Sequence, residues 1–245
     1  MSSKILIAIF SILLALGCSS SDVESNPVPD SNTTTVTAQL NYNQLLEQLG
    51  DQRLGSAVEI PDTNGALGRN KAAYFHVRFQ LAMTTITDFA VTERRLDALE
   101  GFFNTLNYAF DRQLPGGDFE LVVPNDILSL PDYTPPSLGD LASGTSFFAS
   151  SLGISLLTLT NSDWFMANGE TLMYRDELQT FGPKIDLLMD YLIAQEVVLM
   201  DYDQNAPNRL LYDALALYTL GKFSNRQDAM EIGIRFLDAA LALTA

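Results

Sequence analysis

Between Asp140 and Asp163 the chain runs through 22 residues without a charged side chain. A helix with no charged face has to be covered on most sides. Ser143, Ser146, Ser150, Ser151 and Ser155, with several Thr, interrupt this stretch and make it too polar for a lipid-exposed span. It therefore reads as a helix over 139–160 that other protein wraps. No long Val/Ile/Thr alternation appears elsewhere, which argues against a large sheet as its cover.

Five further segments have a helical period: 70–90, 94–112, 183–199, 207–220 and 226–244. A short helix over 41–49 precedes them, with Gly50 as its stop. The second, fourth and sixth long helices are amphipathic. In 94–112 Asp97, Glu100, Asn104, Asn107 and Asp111 oppose Leu96, Leu99, Phe103, Leu106 and Phe110. By contrast, 207–220 has one charge, Asp213, between Leu210 and Leu220, and 70–90 leans the same way. A buried helix followed by an amphipathic one, three times, predicts an all-α body of layered helical hairpins. An irregular helical bundle is the alternative. The one strand-like piece is 119–123. Ser137 with Asp140, and Ser224 with Gln227, suggest capping boxes. Pro183 and Pro207 fit first turns, and Gly221 reads as a C-terminal stop.

The start of the chain reads as an address. Lys4 is followed by 13 residues, Ile5 to Gly17, with one polar member, Ser11. Spanning a bilayer takes about 20 apolar residues, so the run has the length of a signal-peptide apolar region. Ala15-Leu16-Gly17-Cys18 resembles the lipobox of bacterial lipoproteins. The resemblance implies alkylation of the Cys18 thiol by diacylglycerol and cleavage to a lipidated N-terminal Cys18. It also implies an outer-membrane address, from Ser19 rather than Asp. A buried structural cysteine on an ordinary apolar segment is the other reading. Residues 19–40 are rich in Ser, Thr, Asn, Pro and Asp and read as a disordered tether. The expected organisation is a signal peptide over 1–17, a tether over 18–40 and a helical-hairpin domain over 41–245.

The net charge of −16 makes nucleic acid a poor partner. It also disfavours a polyanionic substrate, whose charge the mean field repels. One Cys excludes an internal disulfide, and one His leaves little room for a His-built metal site. No phosphate-binding Gly loop or nucleophile elbow is present, so the sequence implies no cofactor and no metal.

Two segments resemble the α/α-toroid families, in which inner helices ring an axis inside outer helices. They are Gln113-Leu114-Pro115-Gly116-Gly117-Asp118-Phe119 after an outer helix, and Asp201 to Tyr218 leading into an inner one. Three hairpins would make only a partial toroid. Many members of those families are glycoside hydrolases or polysaccharide lyases, and the resemblance implies a central cleft with Asp203, Asn205, Asn208 and Arg209 at its mouth. Tyr212 follows Asn208 by one helical turn. For a lyase, Asn208 or Arg209 would neutralise a uronate carboxylate and Tyr212 would serve as base, with His76, Tyr74 and Arg78 completing the site. A hydrolase needs two carboxylates about 5–10 Å apart. Asp118, Asp163, Glu170, Asp201 and Asp203 are the loop candidates, and Trp164, Phe165 and Tyr202 can stack on sugars. Structural roles compete for each. Asp203 and Asn205 can cap a helix, Tyr212 and His76 can be packing residues, and Asp213 can pair with Arg209. Two functions follow as expectations. One is an envelope lipoprotein, membrane-anchored through Cys18, that binds or cleaves a polysaccharide; the other is a non-catalytic binding or scaffold lipoprotein.

Overall fold

A computed structural model describes residues 58–244. The signal-like segment, Cys18, the tether and the 41–49 helix lie outside the described residues. Ten α-helices form the body: α1 Met83–Thr92, α2 Leu96–Phe110, α3 Asn125–Leu128, α4 Leu138–Thr160, α5 Asp163–Ala167, α6 Leu172–Thr180, α7 Gly182–Ala194, α8 Glu196–Asp203, α9 Pro207–Phe223 and α10 Gln227–Ala242. Two tight 3-10 turns, Gly68–Ala72 and Val77–Ala82, precede α1.

The uncharged stretch is the centre. Every residue from Ala142 to Gly153 on α4 is buried, more than three full turns. The helix is long and apolar enough to cross a bilayer, yet 78% of its most apolar window is buried inside the body. The Val77–Ala82 turn, α1, α8 and α9 pack around it. A second tier covers these, with α2 on α1 and α10 on α9, while α7 touches both α4 and α9. The body is all-α, built of layered helical hairpins.

Small residues let the backbones approach. A Cβ at Gly153 would collide with Thr219 on α9, and one at Gly144 with the His76 ring. A Cβ at Gly139 would stand 2.5 Å from Cδ2 of Tyr202 on α8. Of the hydroxyls between them, Ser151 donates to Leu81 O at 2.6 Å and so ties α4 to the adjacent turn. Ser150 instead closes on its own helix at Phe147 O.

Several local expectations change. Segment 70–90 is not one helix. Ala73 has φ 61°, and Phe75 forms an antiparallel bridge with Val122, the partner of the strand-like piece. Segment 183–199 breaks at Gln195, whose N–H is shared between Tyr191 O and Leu192 O, so the chain turns and α8 can lie on α4. Ser137 caps α4 as expected, its Oγ accepting from Asp140 N at 3.1 Å. Ser224 does not cap α10, because it ends α9 instead. Gly221 is not the stop either. It lies within α9, where a Cβ would stand 3.0 Å from that of Ala229, and Asn225, with φ 56°, takes the left-handed position.

The α1–α2 and α9–α10 connections are the same device. Arg94 and Asn225 are left-handed, and the next N–H reaches back to Ala90 O at 2.9 Å or Gly221 O at 2.7 Å. Arg95 then clasps Asp97 and Arg226 clasps Asp228, each through Nε and Nη2. The segments Arg95-Leu96-Asp97-Ala98-Leu99-Glu100 and Arg226-Gln227-Asp228-Ala229-Met230-Glu231 share four residues at matching places.

The α4–α9 contact yields a stability test. Gly153→Ala forces Thr219 and α9 outward and should lower unfolding stability by about 1–3 kcal/mol. Gly182→Ala, where a Cβ meets nothing within 4 Å, should stay within about 0.5 kcal/mol of the wild type. Urea unfolding followed by circular dichroism measures both.

Candidate functional site

The residues singled out by sequence divide between three places. Arg78, Tyr212 and Phe147 come together at the N-terminal half of α4. The Arg78 guanidinium lies 4.8 Å from the Phe147 ring centroid, and Tyr212 meets the same ring edge-on at 4.3 Å. No carboxylate stands within ion-pair distance of Arg78 among the described residues. Burial pushes the Tyr212 hydroxyl up from the ordinary tyrosine value, with Arg78 acting against it. His76 is packed over Gly144, and its Nδ1 accepts from Arg78 N at 3.2 Å. Burial lowers its pKa, opposed by Asp140 and assisted by Arg78, so the ring is held neutral.

Beside this cluster, Tyr202 donates to Asp140 Oδ1 at 3.1 Å, and Arg209 lies 5.4 Å over the Tyr202 ring. Arg209 pairs with Asp203 at 3.2 Å rather than with Asp213. Asp203 and Asn205 do not cap α9, whose cap position is Ala206 with no side-chain bond. Asn205 and Asn208 point to solvent as exposed residues. Trp164 is elsewhere, on α5 past the C-terminal end of α4, about 20 Å of helix away from Phe147.

The loop carboxylates do not assemble into a hydrolytic pair. Asp163 and Glu170 share the Trp164 end, Asp201 is exposed on α8, and Asp203 is sealed at 0% exposure. Asp118 meets His76, Glu120 and Thr145 around a crevice of only ≈ 10 Å³, room for about one water molecule. Gln113 serves as a fastener, donating to Gly117 O and to Lys184 O at the start of α7.

One open concavity among the described residues is a place that sequence reasoning passed over. A groove of ≈ 580 Å³ runs between the 62–73 segment and the outer face of α2. Asn104, Asn107, Tyr108 and Asp111 recur there at helical spacing, and Arg112 follows. Facing them are Asp62, Asn64, Asn70 and Lys71. The signal in the sequence was Asn104, Asn107 and Asp111 on the wet face of 94–112, taken there only as the polar side of an amphipathic helix.

Buried hydrogen bonds fix the groove's shape. Gln80 is 0% exposed, and its Oε1 accepts from Leu67 N at 2.8 Å and from Asn70 Nδ2 at 2.9 Å. Its Nε2 donates to Gly65 O at 3.0 Å and to Thr105 O at 3.4 Å. One side chain thus joins both turns and α2. Asn70 passes the link on, its Oδ1 accepting from His76 N. Asp62 closes a separate turn over 62–66 by accepting from Asn64 N and Ala66 N. Gly65 has φ 89° and lies so close to Asn104 O that no Cβ fits. The Arg112 guanidinium lies 3.9 Å from the Tyr108 centroid and 5.1 Å from that of Phe75, and the two rings meet edge-on at 5.6 Å.

Charge in the groove is balanced, with Asp62 and Asp111 against Lys71 and Arg112. Among the described residues no group of three or more His, Cys, Asp or Glu is placed to hold a metal ion. Comparison with family models, with curated proteins and with solved structures finds no match to this chain.

Gln80→Leu tests the scaffold of the groove. It leaves the Leu67 N–H and the Asn70 amide without their acceptor, and should cost at least about 2 kcal/mol of stability in urea unfolding.

Proposed function

We propose that this chain is an envelope lipoprotein, anchored through Cys18, whose helical body holds a neutral polysaccharide in the groove between 62–73 and α2 without cleaving it. The observation that carries this reading is the groove itself. Its ≈ 580 Å³ falls within the roughly 300–1,000 Å³ of ligand sites. Asn64 and Asn104 present exposed amides to it, and an amide offers both a donor and an acceptor to neighbouring sugar hydroxyls. Its charges cancel inside a chain of net charge −16, which favours a neutral ligand over a polyanion.

Binding is favoured over hydrolysis by the state of the groove's carboxylates. Asp62 is engaged by two backbone N–H groups, and Asp111 stands exposed within 3.9 Å of Lys184. The layering of α1, α4 and α9 inside α2, α7 and α10 supports a partial α/α-toroid. The lipid anchor and the outer-membrane address rest on the lipobox resemblance. A second reading, cleavage of a uronate-containing chain by Arg78, Tyr212 and His76, is favoured by the uncompensated Arg78 beside Tyr212.

Calorimetric titration with a panel of oligosaccharides tests the first reading. A neutral glycan should bind, and Asn64→Ala with Asn104→Ala, both exposed side chains, should weaken binding by about tenfold, one hydrogen bond's worth or slightly more. No binding by any neutral glycan, or no loss in the double variant, would sink it. Unsaturated products from a uronate polymer would move the assignment to Arg78 and Tyr212. Separately, fatty-acid labelling in cells should mark the wild type and miss Cys18→Ser.

A further inference from the structure

Asp203 and Asp213 meet where α8, α9 and α4 converge, with 0% and 1% of their surface exposed. Arg209 Nη1 donates to Asp203 Oδ1 at 3.2 Å. The other three carboxyl oxygens, Asp203 Oδ2 and both of Asp213, lack a hydrogen-bond partner as they stand, and so does Ser146 Oγ. Asp203 and Ser146 are both within reach of the Asp213 carboxyl. Two ionised groups here would carry two negative charges against one cation. An uncompensated buried charge costs several kcal/mol, and two carboxylates sharing a site cannot both ionise freely. A proton resolves both problems, because it cancels the surplus charge and gives one carboxyl a donor for the other.

We propose that Asp203 and Asp213 share one proton in the folded protein, and that this proton fastens α8 and α9 to α4 as a pH-sensitive joint. The groups facing the pair are few. Asp203 comes from α8, Arg209 from α9 and the neutral Ser146 from α4; α7 and α10 also pack on α9 but add no charge that acts on Asp213. Burial is the main force pushing Asp213 well above the ordinary carboxylate range, and the Asp203 charge adds to it. The Ser146 hydroxyl and the Arg209 charge work the other way. Placed between the two carboxyls, the proton gives Asp203 Oδ2 the donor it otherwise lacks.

The direction of the pH effect follows. In the unfolded chain each carboxyl loses its proton near about pH 3.9. Above that, the folded state holds one proton more, so stability falls as pH rises towards the raised folded value and levels off beyond it. The joint carries Tyr202, Arg209 and Tyr212, so its loosening would disturb that cluster and leave the α2 groove in place.

Infrared spectroscopy and urea unfolding of the full chain test the proposal. The folded wild type at neutral pH should show the carbonyl stretch of a protonated carboxylic acid, and Asp213→Asn should lack it. Asp88→Asn, at an exposed carboxyl on α1, is the control and should keep the band. The urea midpoint of the wild type should fall between about pH 5 and about pH 9, and Asp213→Asn should lose that slope. A wild type with no protonated-acid band at neutral pH, or a variant with the same slope, overturns the proposal. If Asp213→Asn does not fold, the wild-type band alone decides.

Discussion

The close approach of neighbouring backbones to α4 sets the rest of the molecule. Gly139, Gly144 and Gly153 leave no room for side chains where Tyr202, His76 and Thr219 press in. Packing at that distance buries all sides of the helix and brings the Val77–Ala82 turn, α8 and α9 to one axis. Apolar bulk alone would not do this, since larger side chains would hold the helices further apart. The serines that make α4 look polar are small enough to allow the same contact, and Ser151 turns it into a hydrogen bond to Leu81 O.

Two buried polar centres then organise the periphery. Gln80 gathers Gly65, Leu67, Asn70 and Thr105, and so holds two irregular turns against α2. The groove exists because that backbone is not helical. The Asp203–Asp213 pair plays a comparable part on the other flank, where Arg209 provides one counter-charge. Each centre is costly to bury unless its groups are satisfied, so each favours a single arrangement of the elements it joins.

Much of the fold was legible in the sequence. The uncharged run gave α4 to within a residue or two, because a missing charge over six turns has few explanations. The amphipathic stripe of 94–112 and the Ser137 cap were equally direct. What escaped were features decided by distant partners. Segment 70–90 has helical periodicity, yet the buried Asn70–Gln80 bond and the Phe75–Val122 bridge outweigh local propensity. Ser224 with Gln227 matched a capping box, but Asn225 in the left-handed region gave the turn another form. At the site, Arg78 and Tyr212 lie against the same Phe147 ring, while the groove was missed because amides on a wet helix face look like ordinary surface. Trp164 was grouped with residues near the opposite end of α4, a distance that sequence order does not reveal.

A rigid centre stands beside the proposed binding groove on one flank. Amide hydrogen exchange of the full chain, with and without a bound neutral oligosaccharide, tests that union most directly. Residues 142–153 should exchange slowest in both states, and added oligosaccharide should slow exchange in 62–73 and 104–112 alone. Fast exchange within 142–153, or protection appearing at 76–78 and 202–213 instead, would contradict it.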